Sequence, residues 1–151
     1  MSFIAVYKRN AAALFIVLAS FSLLLCLFAP PLIYPKVVER QSVKELALIV
    51  GEKAGPHDVV ANYGWYEQGL SFYSKRRVMV VGGPGELEFG SRQGDQSAWF
   101  IGREGFSQMW DSPDRVFTLI RMRDMVSFQK SVITPIRVLG QEGDKLLIAN
   151  R

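Results

Sequence analysis

The chain has 151 residues, 49% of them hydrophobic, a formal net charge of +4, one histidine and one cysteine. A single cysteine excludes an intramolecular disulfide, and one cysteine with one histidine leaves a zinc site without ligands unless carboxylates supply it. Setting aside Lys8 and Arg9, which precede the apolar run, leaves 16 basic against 14 acidic residues, so the sequence pI near 9.4 gives no argument for a nucleic-acid partner.

Residues 1–10 form a short tail that ends in a 24-residue uncharged run, residues 11–34. At 1.5 Å rise per residue, the stretch 11–29 makes roughly 28 Å of helix, the thickness of a bilayer's hydrocarbon core. A cleaved secretory signal is the rival reading, but the run is longer than a signal core of about 7 to 15 residues. Its terminal small residue, Ala29, is followed by Pro30 and Pro31, a poor cleavage site, and Cys26 follows three leucines rather than a small residue. The expectation is one uncleaved transmembrane helix. Basic residues do not orient it, since Lys8 and Arg9 on one side face Lys36, Arg40 and Lys44 on the other. Length does: the tail is short, and long domains translocate largely regardless of charge. The N-terminus is therefore expected in the cytoplasm, and residues 35–151 in the periplasm or outside the cell, tethered to the inner (plasma) membrane.

Pro30, Pro31 and Pro35 are expected to interrupt the helix and leave a short stiff connector. Ser42 with Glu45 reads as a capping box, and Val43, Leu46, Ala47 and Val50 keep helical spacing, which predicts an amphipathic helix over 42–54. Beyond the stop at Gly55 and Pro56, strand signals at 58–63 and 77–81 flank a short helix at 67–75. After the turn 82–85, residues 87–89 read as a strand, 99–101 as extended and 104–110 as helical. Residues 116–122 are apolar except at Thr118 and Arg121, as for a strand covered on both faces. Asp124 is a candidate cap for a helix over 125–131, and 136–139 with 146–149 form a terminal hairpin. Together these predict an α/β fold: one N-terminal transmembrane helix, then a small three-layer α/β domain with a mixed sheet and a C-terminal β-hairpin.

Candidate chemistry is sparse. His57 lies in a Gly-Pro-His-Asp turn with no nucleophile elbow in the chain, and reads as an exposed loop residue. Gly82, Gly83 and Gly85 are followed by Glu86 and strand-like residues rather than by a helix, which favours a tight turn over a phosphate loop. Glu86 and Glu88 would share one strand face, as a metal or sugar pair or as a solvated edge. Lys75, Arg76 and Arg77 cluster near Tyr73 and either meet lipid phosphates or are solvated. Most of the aromatics Trp65, Tyr66, Phe72, Tyr73, Trp99, Phe106 and Trp110 are expected in the core. No catalytic residue, cofactor site or metal site is assigned.

The series Asp58-Val59-Val60, Gly69-Leu70-Ser71-Phe72-Tyr73, Arg77-Val78, Gly85-Glu86-Leu87-Glu88-Phe89-Gly90 and Trp99-Phe100, followed by a helix ending at Trp110, carries a resemblance over about residues 11–150. It resembles the last membrane helix and C-terminal extracytoplasmic domain of bacterial integral-membrane glycosyltransferases related to lipid A aminoarabinose transferase and to protein mannosyltransferases. Ser71 stands where that family often has proline. The resemblance implies that catalysis, transfer of a sugar from a polyprenyl-phosphate donor, belongs to loops of a many-span domain that this sequence does not contain. Three readings follow. The chain is an accessory or split-off domain of a many-span transferase, an independent anchored module for a glycan or lipid head group, or an inactive truncated remnant. The partners implied are the bilayer, a many-span glycosyltransferase and a polyprenyl-phosphate lipid.

Overall fold

The computed structural model describes residues 3–83 and 85–151, with side chains described for 11–31, 42–83 and 85–151. The side chains of Lys8, Arg9, Lys36, Glu39 and Arg40, and Pro84 of the glycine turn, lie outside that set. The chain divides into two compact units, residues 1–41 and 42–151.

The first unit is a single helix, α1 (Phe3–Gln41). Its segment Ala11–Pro31 is long and apolar enough to cross a membrane, and none of it is buried against the protein. The expected interruption at Pro30, Pro31 and Pro35 does not occur, because the helix continues to Gln41. Each proline removes one backbone hydrogen bond, and the ladder on either side carries the helix through.

The second unit is a six-stranded mixed sheet in the order β3-β2-β1-β4-β6-β5, covered on both faces. Strands β1 (Val59–Tyr63), β2 (Met79–Val81), β3 (Phe100–Ile101) and β4 (Val116–Arg121) are parallel. Strands β5 (Arg137–Glu142) and β6 (Lys145–Ala149) form the predicted hairpin, with β6 antiparallel to β4. The chain moves outward from β1 to β3 and then returns past β1 to β4. Crossovers of one hand therefore put α3 (Gln68–Ser74) and α5 (Arg103–Trp110) on opposite faces.

One face buries Val60, Phe117, Leu119, Leu147 and Ala149 under α2 (Lys44–Lys53) and α3, which contribute Leu46, Ala47, Val50 and Leu70. The other buries Ala61, Val116, Ile120 and Ile148 under α5 and α6 (Met122–Gln129). There Trp110 meets Phe128 edge-on at 5.0 Å, and Tyr63 lies 5.0 Å from Phe128. Close approach fixes Gly69: a Cβ at that position would sit 2.6 Å from Val43 Cγ2, so the Val43 side chain, just before α2, packs directly on the backbone of the first turn of α3.

Three local expectations are corrected. Helix α2 starts at Lys44, and Ser42 accepts a hydrogen bond from the Lys44 amide (3.2 Å) instead of forming the capping box with Glu45. Residues 87–89 are not a strand: Gly85–Leu87 make a 3-10 turn that runs into α4 (Glu88–Ser91). The left-handed backbone at Gly85 (φ 53°) turns the chain there, and β3 already occupies the sheet edge beside β2. Asp124 lies inside the first turn of α6 rather than capping it, because the helix begins at Met122.

Asn150 closes the domain. Its side-chain oxygen accepts from the Val116 amide (3.0 Å), and its amide donates to the carbonyls of Trp110 (2.9 Å) and Asp114 (2.8 Å), all within the protein interior. Asn150→Ala removes these bonds and leaves buried backbone groups unpaired, at a cost of about 2–3 kcal/mol. Denaturant unfolding of the full chain, followed by Trp110 fluorescence, should show a lower midpoint with an unchanged slope.

Candidate functional site

The second unit carries a cleft of about 290 Å³ between α3 and the segment that precedes β3. Its floor is Val78, Val80 and Phe100, and its walls are Tyr66 and Ser71 on one side and Leu87, Gln96 and Trp99 on the other, with Arg77 at the rim. No carboxylate lines it. The Arg77 guanidinium stacks on the Trp99 ring at 4.6 Å and makes no ion pair among the described residues. The Gln96 amide donates to the Gln93 carbonyl (2.9 Å), which leaves its own oxygen as an acceptor. Arg77 and Trp99 also line a second hollow of about 250 Å³ toward Pro56 and Asp58, where Asp58 is occupied by the Gly55 amide (2.8 Å) and by Arg115 (3.7 Å). Tyr66 and Ser71 are shared with a shallower hollow beside Phe72 and Tyr73.

The residues singled out from the sequence separate into different tasks. Tyr73 is exposed and packs edge-on against Phe72 at 5.0 Å, and Phe72 is 75% exposed, so this pair is surface and not core. The basic triplet does not act as one cluster. Lys75 takes the left-handed position that ends α3 (φ 54°). Arg76 is half-buried and donates to the Ala54 carbonyl, tying α3 to the end of α2. Arg77 alone reaches the cleft. Glu86 accepts from Gln68 (3.1 Å), and Glu88 pairs with Arg92 one helical turn on. As residues 86 and 88 are helical, the two carboxylates do not share a strand face. His57 is exposed in its turn. Among the described residues no group of three or more His, Cys, Asp or Glu is placed to hold a metal ion.

A second polar group, unseen in the sequence, gathers at the carboxyl ends of β1 and β4, where the strand order reverses. Glu67 pairs with buried Lys145 at 2.8 Å, and the Arg121 guanidinium lies 4.4 Å over Trp65. Asn62, fully buried, donates to the Glu67 carbonyl (3.5 Å). These partners are up to 78 residues apart in sequence, so no local spacing could have announced them.

The family model of the aminoarabinose transferase C-terminal domain matches residues 46–150, which is most of the chain. The chain belongs to that family. Among solved structures the second unit resembles ArnT from Cupriavidus metallidurans. The form bound to undecaprenyl phosphate matches with a TM-score of 0.63 and 17% identity, and the apo form with 0.62 and 16%. Each match covers 72% of this chain, which spans only about a fifth of the ArnT chains (19% and 20%). No curated protein is similar enough in sequence to match.

In this aminoarabinose transferase C-terminal domain one carboxylate sits under strain. Burial pushes the Glu142 carboxyl above the ordinary carboxylate value. Neighbouring Glu45 adds to this, while a hydrogen bond from Ser42 and the charge of Lys145 oppose it. A raised folded-state pKa means that ionised Glu142 costs stability at neutral pH, and that the cost fades as pH falls through the carboxylate range. Glu142→Gln should therefore raise the denaturant midpoint at pH 7, and the gain over wild type should shrink at pH 4.

Proposed function

We propose that this chain is the membrane-anchored extracytoplasmic domain of a polyprenyl-phosphate-sugar-dependent glycosyltransferase, and that the catalytic centre is contributed by a many-span membrane protein on which it docks. The observation that carries this reading is the order of the parts: a helix able to span a membrane runs directly into a domain of the aminoarabinose transferase C-terminal family. ArnT of Cupriavidus metallidurans was solved with undecaprenyl phosphate, and by kinship a lipid of that class is the proposed donor carrier here. Residues 1–10 stay in the cytoplasm in this arrangement, residues 11–34 cross the inner membrane, and residues 35–151 lie in the periplasm or outside the cell.

The side chains support an accessory role. The carboxylates nearest the cleft have partners: Asp58 with Arg115 and the Gly55 amide, Glu86 with Gln68, Glu88 with Arg92. Of the basic triplet, Lys75 and Arg77 are exposed and available to a lipid phosphate, whereas Arg76 is committed to the Ala54 carbonyl. Basic residues at a membrane surface contribute about 1 kcal/mol each.

The test is glycosyl transfer from a radiolabelled polyprenyl-phosphate sugar in nanodiscs. The purified full chain alone should give no turnover, and co-reconstitution with a many-span transferase of this family from which the C-terminal domain has been removed should give turnover. The pair Lys75→Gln and Arg77→Gln should lower that turnover by about five- to thirtyfold, the effect of 1–2 kcal/mol, with Arg76 left intact to preserve the fold. Turnover by the isolated chain would overturn the accessory reading. Equal turnover by the transferase with and without the chain would favour an independent anchored binding module.

A further inference from the structure

The cleft between α3 and the segment before β3 has a lining that selects a ligand class. Trp99, Phe100 and Tyr66 are its aromatic lining, with Val78, Val80 and Leu87 as the apolar remainder. Three neutral polar residues line the same space: Tyr66, whose hydroxyl has no hydrogen-bond partner among the described residues, Gln96, whose side-chain oxygen is left as an acceptor, and Ser71. Ser71 donates its proton to the Arg76 carbonyl (3.0 Å), so toward the cleft it can only accept. One charge faces the space, the Arg77 guanidinium, and no acidic residue in the lining neutralises it.

Each feature narrows the ligand. An apolar compound would strand the hydroxyl and amide groups without partners, which costs more than apolar contact returns in a site this size. A cation would meet Arg77 with no carboxylate to offset it. The Arg77 guanidinium, 4.6 Å over the Trp99 ring, is a planar fork of donors that suits bidentate contact with phosphate or carboxylate oxygens. The volume of about 290 Å³ lies at the lower end of small-molecule sites, about 300–1,000 Å³, and so admits one ring with its charged substituent rather than a dinucleotide. A saturated ring that carries hydroxyls on its rim, apolar C–H faces and one anionic group meets all four conditions.

We infer that this cleft is a binding site for an anionic sugar, a single sugar ring bearing a phosphate, with Arg77 on the phosphate and Trp99, Tyr66 and Gln96 on the ring. The site stands on its own lining and does not depend on docking to a transferase. The same chemistry is offered by a free sugar phosphate and by the head group of a lipid-linked sugar phosphate.

The test uses the full chain in nanodiscs and isothermal titration with glucose 1-phosphate, glucose and inorganic phosphate as separate probes. A second arm carries a polyprenyl-phosphate glucose in the nanodisc and reads Trp99 fluorescence, with Trp99→Phe to identify the signal. Saturable binding of glucose 1-phosphate, at least about tenfold tighter than glucose, supports the site and assigns it to free sugar phosphates. A Trp99 response to the lipid-linked sugar without binding of the free one supports it with a lipid source. In either case Arg77→Gln should weaken binding by about ten- to a hundredfold, the loss of one charge-assisted contact, while circular dichroism and a cooperative unfolding transition show that the variant remains folded. Arg92→Gln, which removes an exposed cation paired with Glu88 outside the cleft, should leave binding unaltered. Absence of binding in both arms, inorganic phosphate binding as tightly as glucose 1-phosphate, or an Arg77→Gln variant that binds like wild type would each overturn the assignment. Because no transferase is present, these outcomes leave the docking reading untouched.

Discussion

Strand β4 has to be covered on both sides. Val116, Phe117, Leu119 and Ile120 are fully buried, with Phe117 and Leu119 facing one way and Val116 and Ile120 the other. A strand of this kind cannot sit on a sheet with a wet face, so helices must reach it from above and below. The return of the chain from β3 past β1 to β4 satisfies the requirement by sending α3 and α5 to opposite faces. The weight of the core follows from the same demand: Phe106, Trp110 and Phe128 fill one side, and Leu46, Val50 and Leu70 the other.

The cleft forms where that double coverage thins out. Strand β3 is only two residues long, its residues are half-buried, and the chain between β2 and β3 makes only two short helical turns, Gly85–Leu87 and Glu88–Ser91, followed by a loop. Trp99 and Leu87 line the cleft on this side, and the Arg77 guanidinium lies over the Trp99 ring. Structure and binding capacity thus divide the domain. The β1, β4 and β6 centre gives rigidity, and the segment 85–99 on the β3 flank gives shape and adaptability, as befits a connection carried by a firm scaffold.

Periodicity made the scaffold legible. The apolar run 116–122 announced a strand buried on both faces, the spacing of Leu46, Ala47 and Val50 announced α2, and the paired apolar runs at the end announced the hairpin. The run 11–34 likewise predicted an apolar helix, but its end was misjudged. Proline disfavours a helix interior without forbidding it, and α1 passes through Pro30, Pro31 and Pro35. The strand expected at 87–89 failed because alternation in a three-residue window says nothing about whether a sheet edge is free to receive it. Neighbours in sequence suggest one basic patch at 75–77, yet the end of α3 commits Arg76 to the Ala54 carbonyl and leaves Lys75 and Arg77 exposed. The Trp99–Arg77 stack and the Glu67–Lys145 pair depend on which strands lie side by side, a long-range property that no spacing encodes.

If the buried strands are the scaffold and the β3 flank is its adaptable rim, the difference must appear in local opening free energies. Hydrogen exchange of the full chain in nanodiscs, resolved by residue or short peptide, measures it directly. Amides of β1, β4 and β6 should exchange slowest and together, through global opening, whereas amides in 85–99 should exchange orders of magnitude faster through local opening. Equal protection of the two regions, or β4 exchanging as fast as 85–99, would contradict the account.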